Sequence, residues 1–99
     1  MDSGQVKAER KVLVRVFKIQ NQLGLHARPA ALFVKIASRY DADVMVEKDG
    51  NSVSGKSIMG LMTLEAGMGS KLRLSADGHD AEQVLDEIQA LIENKFYEE

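Results

Sequence analysis

Residues 24–31 read Gly-Leu-His-Ala-Arg-Pro-Ala-Ala, and the hydrophobic pattern changes at this segment from that of a strand to that of a helix. Before it, residues 12–19 are rich in β-branched side chains that alternate around Arg15 and Lys18, which is typical of a strand. After it, apolar side chains recur with the spacing of one helical face, at Pro29, Phe33, Ile36 and Tyr40. Proline is tolerated in a first turn because its missing N–H would have no partner within the helix. We therefore predict a strand followed by a helix from Ala27 to Arg39.

A β-hairpin is predicted next along the chain. Residues 43–48 alternate, with Val44 and Val46 on the inner face, and residues 49–51 read Asp-Gly-Asn, a hairpin-turn signal. Val53 then belongs to a short return strand.

Three further elements are predicted after the hairpin. Residues 57–63 are short and apolar and predict one or two helical turns capped by Ser57. Residues 71–76 predict a strand with Leu72, Leu74 and Ala76 facing inward. Asp80 and Gln83 fit a capping box at the start of the last helix, whose apolar stripe consists of Val84, Leu85, Ile88, Leu91 and Ile92.

The element order βαββαβα predicts an α+β fold. Three helices covering one face of a four-stranded sheet bury these apolar stripes most simply, as an open-faced sandwich. A length of 99 residues fits one domain. We assign residues 12–99 to that domain and residues 1–11 to a flexible, polar N-terminal extension.

Composition excludes several classes of function. The net charge of −2 argues against a nucleic-acid-binding protein, which needs a cationic surface. The absence of cysteine excludes disulfides, thiol catalysis and cysteine-based zinc sites. No segment approaches the roughly 20 apolar residues of a membrane helix. We expect a soluble, cytoplasmic protein with no membrane partner, no metal and no cofactor.

His26 and Arg28 form a candidate phosphoryl-binding site. His26 precedes the first helical turn, where backbone N–H groups lack intrahelical partners and the helix dipole favours anions. Arg28 adds a guanidinium whose geometry matches phosphate oxygens. A lone histidine before a helix can equally be an exposed or capping residue, and His79, without an arginine at a useful spacing, is interpreted as an ordinary loop residue.

Two motifs favour the interpretation of His26 and Arg28 as a phosphoryl-binding site. Residues 24–30 resemble the phosphohistidine signature of the HPr family, and residues 56–62, Lys-Ser-Ile-Met-Gly-Leu-Met, resemble its regulatory serine motif. The resemblance implies an antiparallel sheet and a phosphocarrier, not an enzyme, which accepts phosphate from Enzyme I and passes it to Enzyme IIA domains. It also implies that Nδ1 of His26 is phosphorylated and that Arg28 is its charge partner. We expect a monomer.

Ser57 has two interpretations. As an N-cap, it stabilises a helix by about 1 kcal/mol, which suffices to explain a serine here. The family resemblance adds that an HPr kinase/phosphorylase modifies the matching serine, which damps transfer or creates a corepressor for a transcription regulator. A mainly regulatory binding module, controlled by the phosphorylation of His26 and Ser57, is therefore the alternative function.

The resemblance further implies one surface at which partners dock. Its predicted contact residues are Leu25, Ala27, Ala31, Ile58, Met59 and Met62. Asn21 and Leu23 resemble the nitrogen-branch paralogue NPr more than the sugar-pathway carriers, so the branch stays open between the two.

Overall fold

The predicted order of strands and helices is confirmed. The computed structural model describes residues 12–98, and the extension predicted for residues 1–11 lies outside them. The elements, ending in a short 3₁₀ turn, are β1 Val12–Lys18, α1 Ala27–Ala37, β2 Asp43–Lys48, β3 Asn51–Ser54, α2 Ile58–Thr63, β4 Lys71–Asp77, α3 Ala81–Glu93 and the 3₁₀ turn Lys95–Tyr97.

The four strands form one antiparallel sheet in the order β1-β4-β2-β3. Its inner face contributes a row of fully buried side chains, as the alternation predicts: Val44, Val46, Leu72, Leu74 and Ala76. The other face is open, and Val14 and Val16 of β1 are exposed there. Asp49 and Gly50 both have positive φ, which is the geometry of a two-residue hairpin turn whose twist matches its strands. The open-faced sandwich is therefore confirmed.

The helices bury their apolar faces against this sheet. The stripe predicted for α3 is buried along its whole length. Helix α1 ends at Ala37, two residues before the predicted end, and its buried residues are Pro29, Ala30, Phe33 and Ala37. Ile36 and Tyr40 are only half-buried. Both still pack against the core, as predicted, but at the border of the face, because small alanines occupy its fully buried centre.

The capping box predicted for α3 is wrong. Asp80 occupies the N-cap position, but its side chain makes no capping hydrogen bond. Its two carboxylate oxygens instead accept hydrogen bonds from the N–H groups of Asp41 and Ala42, each at 2.9 Å. Burial raises the pKa of Asp80, but these two N–H groups, together with His79, outweigh it and hold that pKa below its ordinary value. The Asp80 carboxylate, which the local pattern assigned to the N-terminus of α3, thus accepts hydrogen bonds from the α1–β2 connection.

Between residues 12 and 98, no helix combines the length and the apolar character needed to cross a bilayer.

Candidate functional site

The segment that leads into α1 is fixed by backbone contacts to the α2–β4 connection. Leu25 N–H donates to Ala66 C=O at 2.8 Å, and Gly69 N–H donates to Ile19 C=O at 2.8 Å. Gly24 has a φ of +72°, and a Cβ there would lie 2.3 Å from the carbonyl oxygen of Ala66. Only glycine fits this position, because both the conformation and the close approach exclude a side chain. The backbone before His26 is therefore held in one place.

His26 is the N-cap residue of α1, with extended backbone angles. Its carbonyl accepts the first helical hydrogen bond, from Ala30 N–H at 2.9 Å, but its ring makes no capping hydrogen bond. Ala27 and Arg28 occupy the first two helical positions, where N–H groups have no intrahelical partner, and Pro29 has no N–H. The ring, with 37% of its side chain exposed, therefore stands beside two backbone donors that are open to an anion.

The Nε2 atom of the His26 ring contacts the side chain of Glu98, which is distant in sequence. Nε2 of His26 lies 2.9 Å from Oε2 of Glu98. The other oxygen of Glu98 accepts a hydrogen bond from Asn21 Nδ2 at 2.9 Å, and the same amide group donates to Gly24 C=O at 2.8 Å. Sequence reasoning missed Glu98 as a site residue, because no local pattern connects positions 72 residues apart.

Arg28 is exposed on the first turn of α1. Within residues 12–98 its guanidinium forms no ion pair with a carboxylate and no hydrogen bond, in contrast to Arg15, Arg39 and Arg73, which each pair with one. An arginine that has no partner in the described part of the chain, on the same helical turn as backbone N–H groups that have none there, is suited to bind an exogenous anion.

Ser57 caps α2 as predicted. Its Oγ accepts a hydrogen bond from Gly60 N–H at 3.0 Å. The neighbouring Lys56 turns away from it, because the Lys56 ammonium donates to Tyr40 C=O at 2.9 Å.

An exposed apolar surface adjoins the two caps. Ile58, Met59 and Met62 are 40%, 75% and 40% exposed. Ala27 and Ala31 are also exposed, whereas Leu25 belongs to the core with 4% exposed, so its prediction as a surface contact is wrong. Leu23, which sequence reasoning did not include, is 72% exposed. We name Leu23, Ala27, Ala31, Ile58, Met59 and Met62 the apolar surface.

A hollow of about 340 Å³ lies beside His26, between the apolar surface and the α2–β4 connection. Its lining includes Leu23, His26 and Met62, and Glu65 and Gly67 border it. Leu25 forms part of its floor. The His26 ring therefore borders a shallow, open hollow.

A possible metal-binding group lies at the other end of α1 and not at His26. Ligand atoms of Asp41, His79 and Asp80 lie within 4.8 Å of one another. Nε2 of His79 is 3.0 Å from Asp41 Oδ2, and this hydrogen bond, followed by the charge of Asp80, raises the pKa of His79. Because the Asp80 carboxylate already accepts two backbone N–H groups, these side chains connect the α1–β2 and β4–α3 loops.

Comparison with known proteins identifies the family to which the chain belongs. Residues 13–94 match the family profile described as PTS HPr component phosphorylation site. The chain belongs to the HPr family. Members of this family are phosphocarriers of the phosphotransferase system and not catalysts. The predicted family and class of function are therefore confirmed.

The similarity extends over nearly the whole length of the relatives. A phosphocarrier protein HPr from Treponema pallidum is 46% identical and covers 89% of this chain and 100% of its own. An HPr-like protein Crh from Bacillus subtilis is 44% identical, with coverages of 88% and 96%, and a phosphocarrier protein NPr from Shewanella violacea is 42% identical, with coverages of 87% and 94%. A crystal structure of HPr from Thermoanaerobacter tengcongensis, at 47% identity, has a TM-score of 0.85 and covers 88% of this chain and 98% of its own.

The monomer predicted from the sequence conflicts with the assembly of solved relatives. A second crystal structure from T. tengcongensis is an HPr dimer, with 49% identity, a TM-score of 0.69 and coverages of 81% and 92%. Crh from B. subtilis also forms a dimer in a crystal structure of 43% identity and TM-score 0.68, which covers 80% of this chain and 91% of its own. The composition and hydrophobic patterning on which the sequence analysis depends carry no signal for self-association.

Proposed function

We propose that this chain accepts a phosphoryl group from phosphorylated Enzyme I on Nδ1 of His26 and passes it to Enzyme IIA domains. The observation that supports this most is the unequal environment of the two ring nitrogens. Nε2 is engaged by Glu98, and Nδ1 has no partner among residues 12–98. The N–H groups of Ala27 and Arg28 have no partner among residues 12–98 and follow His26 directly, and the Arg28 side chain is exposed on the same first turn.

The proposed transfer forms one bond and breaks one. The lone pair of Nδ1 attacks the phosphorus atom, and the bond between phosphorus and the donor's nitrogen breaks, with its electron pair returning to the donor. The N–H groups of Ala27 and Arg28 and the Arg28 side chain stabilise the charge on the phosphoryl oxygens. Because nothing else is consumed, the same step runs in reverse toward an acceptor.

Incubation with Enzyme I and labelled phosphoenolpyruvate tests this proposal. We expect acid-labile, base-stable label on the protein, which His26→Ala abolishes and His79→Ala leaves intact. Addition of Enzyme IIA domains is then expected to remove the label from the carrier. Absence of label on the folded protein would contradict the proposal.

The apolar surface supports a docking role. Its exposed apolar side chains lie on α1, on α2 and in the β1–α1 connection, and two of them, Leu23 and Met62, line the same hollow as His26. Methionine side chains adapt their shape, so Met59 and Met62 suit a surface that binds a donor and several acceptors in turn. We expect Met59→Glu to weaken transfer from Enzyme I without changing the fold, whereas Met68→Glu, also at an exposed methionine, serves as the control.

Ser57 is proposed as a second, regulatory phosphorylation site. Its side chain is partly exposed and is followed directly by Ile58 and Met59 of the apolar surface. A phosphate on Ser57 adds about two negative charges at the edge of this surface, where they disfavour an apolar or acidic partner. An HPr kinase/phosphorylase is the proposed modifying enzyme, and a transcription regulator is the proposed partner of the modified form.

Two variants separate the carrier from the regulatory alternative. Ser57→Asp is expected to slow transfer from Enzyme I, and Ser57→Ala to leave it unchanged. A protein that takes no phosphate on His26, yet binds a regulator only when Ser57 is phosphorylated, would favour the alternative function.

A further inference from the structure

Linked hydrogen bonds connect Glu98 to both the His26 ring and Asn21. Glu98 approaches Nε2 of His26 with one oxygen and accepts from Asn21 with the other, each at 2.9 Å. Asn21 is completely buried and also donates to Gly24 C=O. The carboxylate is therefore held at both oxygens, and one of its two anchors lies in the same backbone segment that fixes His26.

The conformation of the last turn delivers Glu98 to this position. Lys95, Phe96 and Tyr97 all have positive φ, between 52° and 58°, which is unfavourable for residues other than glycine. Phe96 is 1% exposed and packs in the core, and Glu98 N–H donates to Lys95 C=O at 3.1 Å. Burial of the aromatic ring of Phe96 opposes this strain. The turn is thus fixed by the core, and the Glu98 side chain is only 17% exposed.

A carboxylate at Nε2 determines which ring nitrogen is nucleophilic. An ionised carboxylate only accepts hydrogen bonds, so Nε2 must carry the proton that lies between it and Glu98. Neutral imidazole has one N–H, and the lone pair is then on Nδ1, on the opposite side of the ring from Glu98. When Nδ1 bonds to phosphorus the ring gains positive charge, which the carboxylate at Nε2 stabilises.

We propose that Glu98 is a positioning residue for phosphoryl transfer: it holds Nε2 of His26 protonated and the ring in place, so that Nδ1 is presented to the phosphoryl group, and Asn21 orients Glu98 for this task. The inference rests on the proposed function for its effect on rate. The effect of Glu98 on the tautomer of unphosphorylated His26 does not depend on the proposed function.

The sharpest test replaces Glu98 with glutamine. An amide offers one oxygen and one NH₂ group, so with its oxygen toward the Asn21 donor it turns its NH₂ toward Nε2 of His26. We expect nitrogen-15 NMR of unphosphorylated protein to show Nε2 as the protonated nitrogen in wild type, and a shift of the population toward protonated Nδ1 in Glu98→Gln. Glu82→Gln, at an exposed carboxylate on α3, is the control and leaves the spectrum unchanged.

The rate of phosphorylation by Enzyme I provides the second readout. Loss of a group that orients a reactive histidine slows its reaction by roughly tenfold to a hundredfold, and we expect a decrease of this size in Glu98→Gln and Glu98→Ala. Asn21→Ala is expected to have a smaller effect in the same direction. Phosphorus NMR is expected to show a larger share of phosphate on Nε2 in Glu98→Ala, because that nitrogen is no longer covered.

Three results would overturn the inference. One is a wild-type rate and spectrum in both Glu98 variants. Another is a slower rate with an unchanged tautomer, which would place the role of Glu98 in partner binding. The third is a faster rate in Glu98→Ala, which would mean that the carboxylate covers the ring instead of aligning it. Failure of wild type to accept phosphate would contradict the proposed function, while the tautomer measurement would still decide this inference.

Discussion

Two helices of this domain begin in opposite ways. At α2, the N-cap side chain serves its own helix, because Ser57 Oγ accepts the N–H of Gly60. At α1, the N-cap residue His26 makes no capping hydrogen bond, the first-turn N–H groups have no partner among residues 12–98, and the ring contacts Glu98. A helix end that stabilises the fold uses its polar groups internally, whereas one that binds an anion keeps them available.

The largest expected difference between the two caps is in phosphoryl transfer. His26→Asn removes the nucleophile, and we expect no label from Enzyme I and phosphoenolpyruvate. Ser57→Ala removes only a cap, and its labelling by Enzyme I is expected to match wild type. Label that persists in His26→Asn, or that is lost in Ser57→Ala, would reverse the roles assigned to the two helix ends.

The next largest effect concerns the backbone that leads into α1. We expect Gly24→Ala to lower the free energy of unfolding by roughly 2–4 kcal/mol, because it adds both left-handed strain and a clash with Ala66. Gly69→Ala has a similar φ of +91° but open space around its Cβ, and its expected loss is about 1 kcal/mol. Urea denaturation of both variants measures the difference, and equal losses would show that the contact with Ala66 does not fix the loop.

A smaller effect compares the two caps directly. Ser57→Ala is expected to lower the free energy of unfolding by about 1 kcal/mol, because the Gly60 N–H loses its acceptor. At α1 a capping acceptor can be added instead of removed. His26→Asn supplies an acceptor for Arg28 N–H, and we expect it to be about 1 kcal/mol more stable than His26→Ala. Both α1 variants lack the contact with Glu98, so their difference isolates the cap. If His26→Ala is at least as stable as His26→Asn, an added acceptor does not stabilise the first turn of α1.

The smallest expected effect concerns α3, whose N-cap side chain serves a neighbouring loop. The pKa of Asp80 in the folded protein is lowered from its ordinary value of 3.8. Its carboxylate therefore adds stability above about pH 4. That stability is lost as the pH falls through the folded pKa. We expect the stability difference between wild type and Asp80→Asn to decrease as the pH rises through the titration of His79, whose pKa the charge of Asp80 raises, and to shrink below about pH 4, where Asp80 itself gains a proton. A difference that grows below about pH 4 would contradict the bonds to Asp41 and Ala42.

The strands and helices were predictable because their signals are local. Period-two alternation identified Val44, Val46, Leu72 and Leu74 as inner residues, and helical spacing identified the stripe of α3. The same approach did not anticipate Ala30 and Ala37 in the core, because it gives most weight to large apolar side chains such as Ile36. Leu25 was predicted as a surface contact from the family resemblance and not from periodicity, and its side chain is buried.

The features that the sequence did not reveal are contacts between distant segments. The Asp80 carboxylate fits a local capping box, but backbone N–H groups some 40 residues away compete for it, and Glu98 meets His26 across 72 residues. Residue types alone do not specify such pairings, because they depend on how the elements pack. The proposed nucleophile and its arginine were identifiable from the sequence, whereas the carboxylate proposed to orient the nucleophile was not.

Nitrogen-15 and phosphorus NMR of the protein phosphorylated by Enzyme I and phosphoenolpyruvate tests the central claim most directly. The account predicts a single phosphohistidine, with phosphorus bonded to Nδ1 of His26, and downfield shifts of the amide protons of Ala27 and Arg28 as they donate to the phosphoryl oxygens. Phosphorus on Nε2 or on His79, or unchanged amide protons at the start of α1, would contradict it.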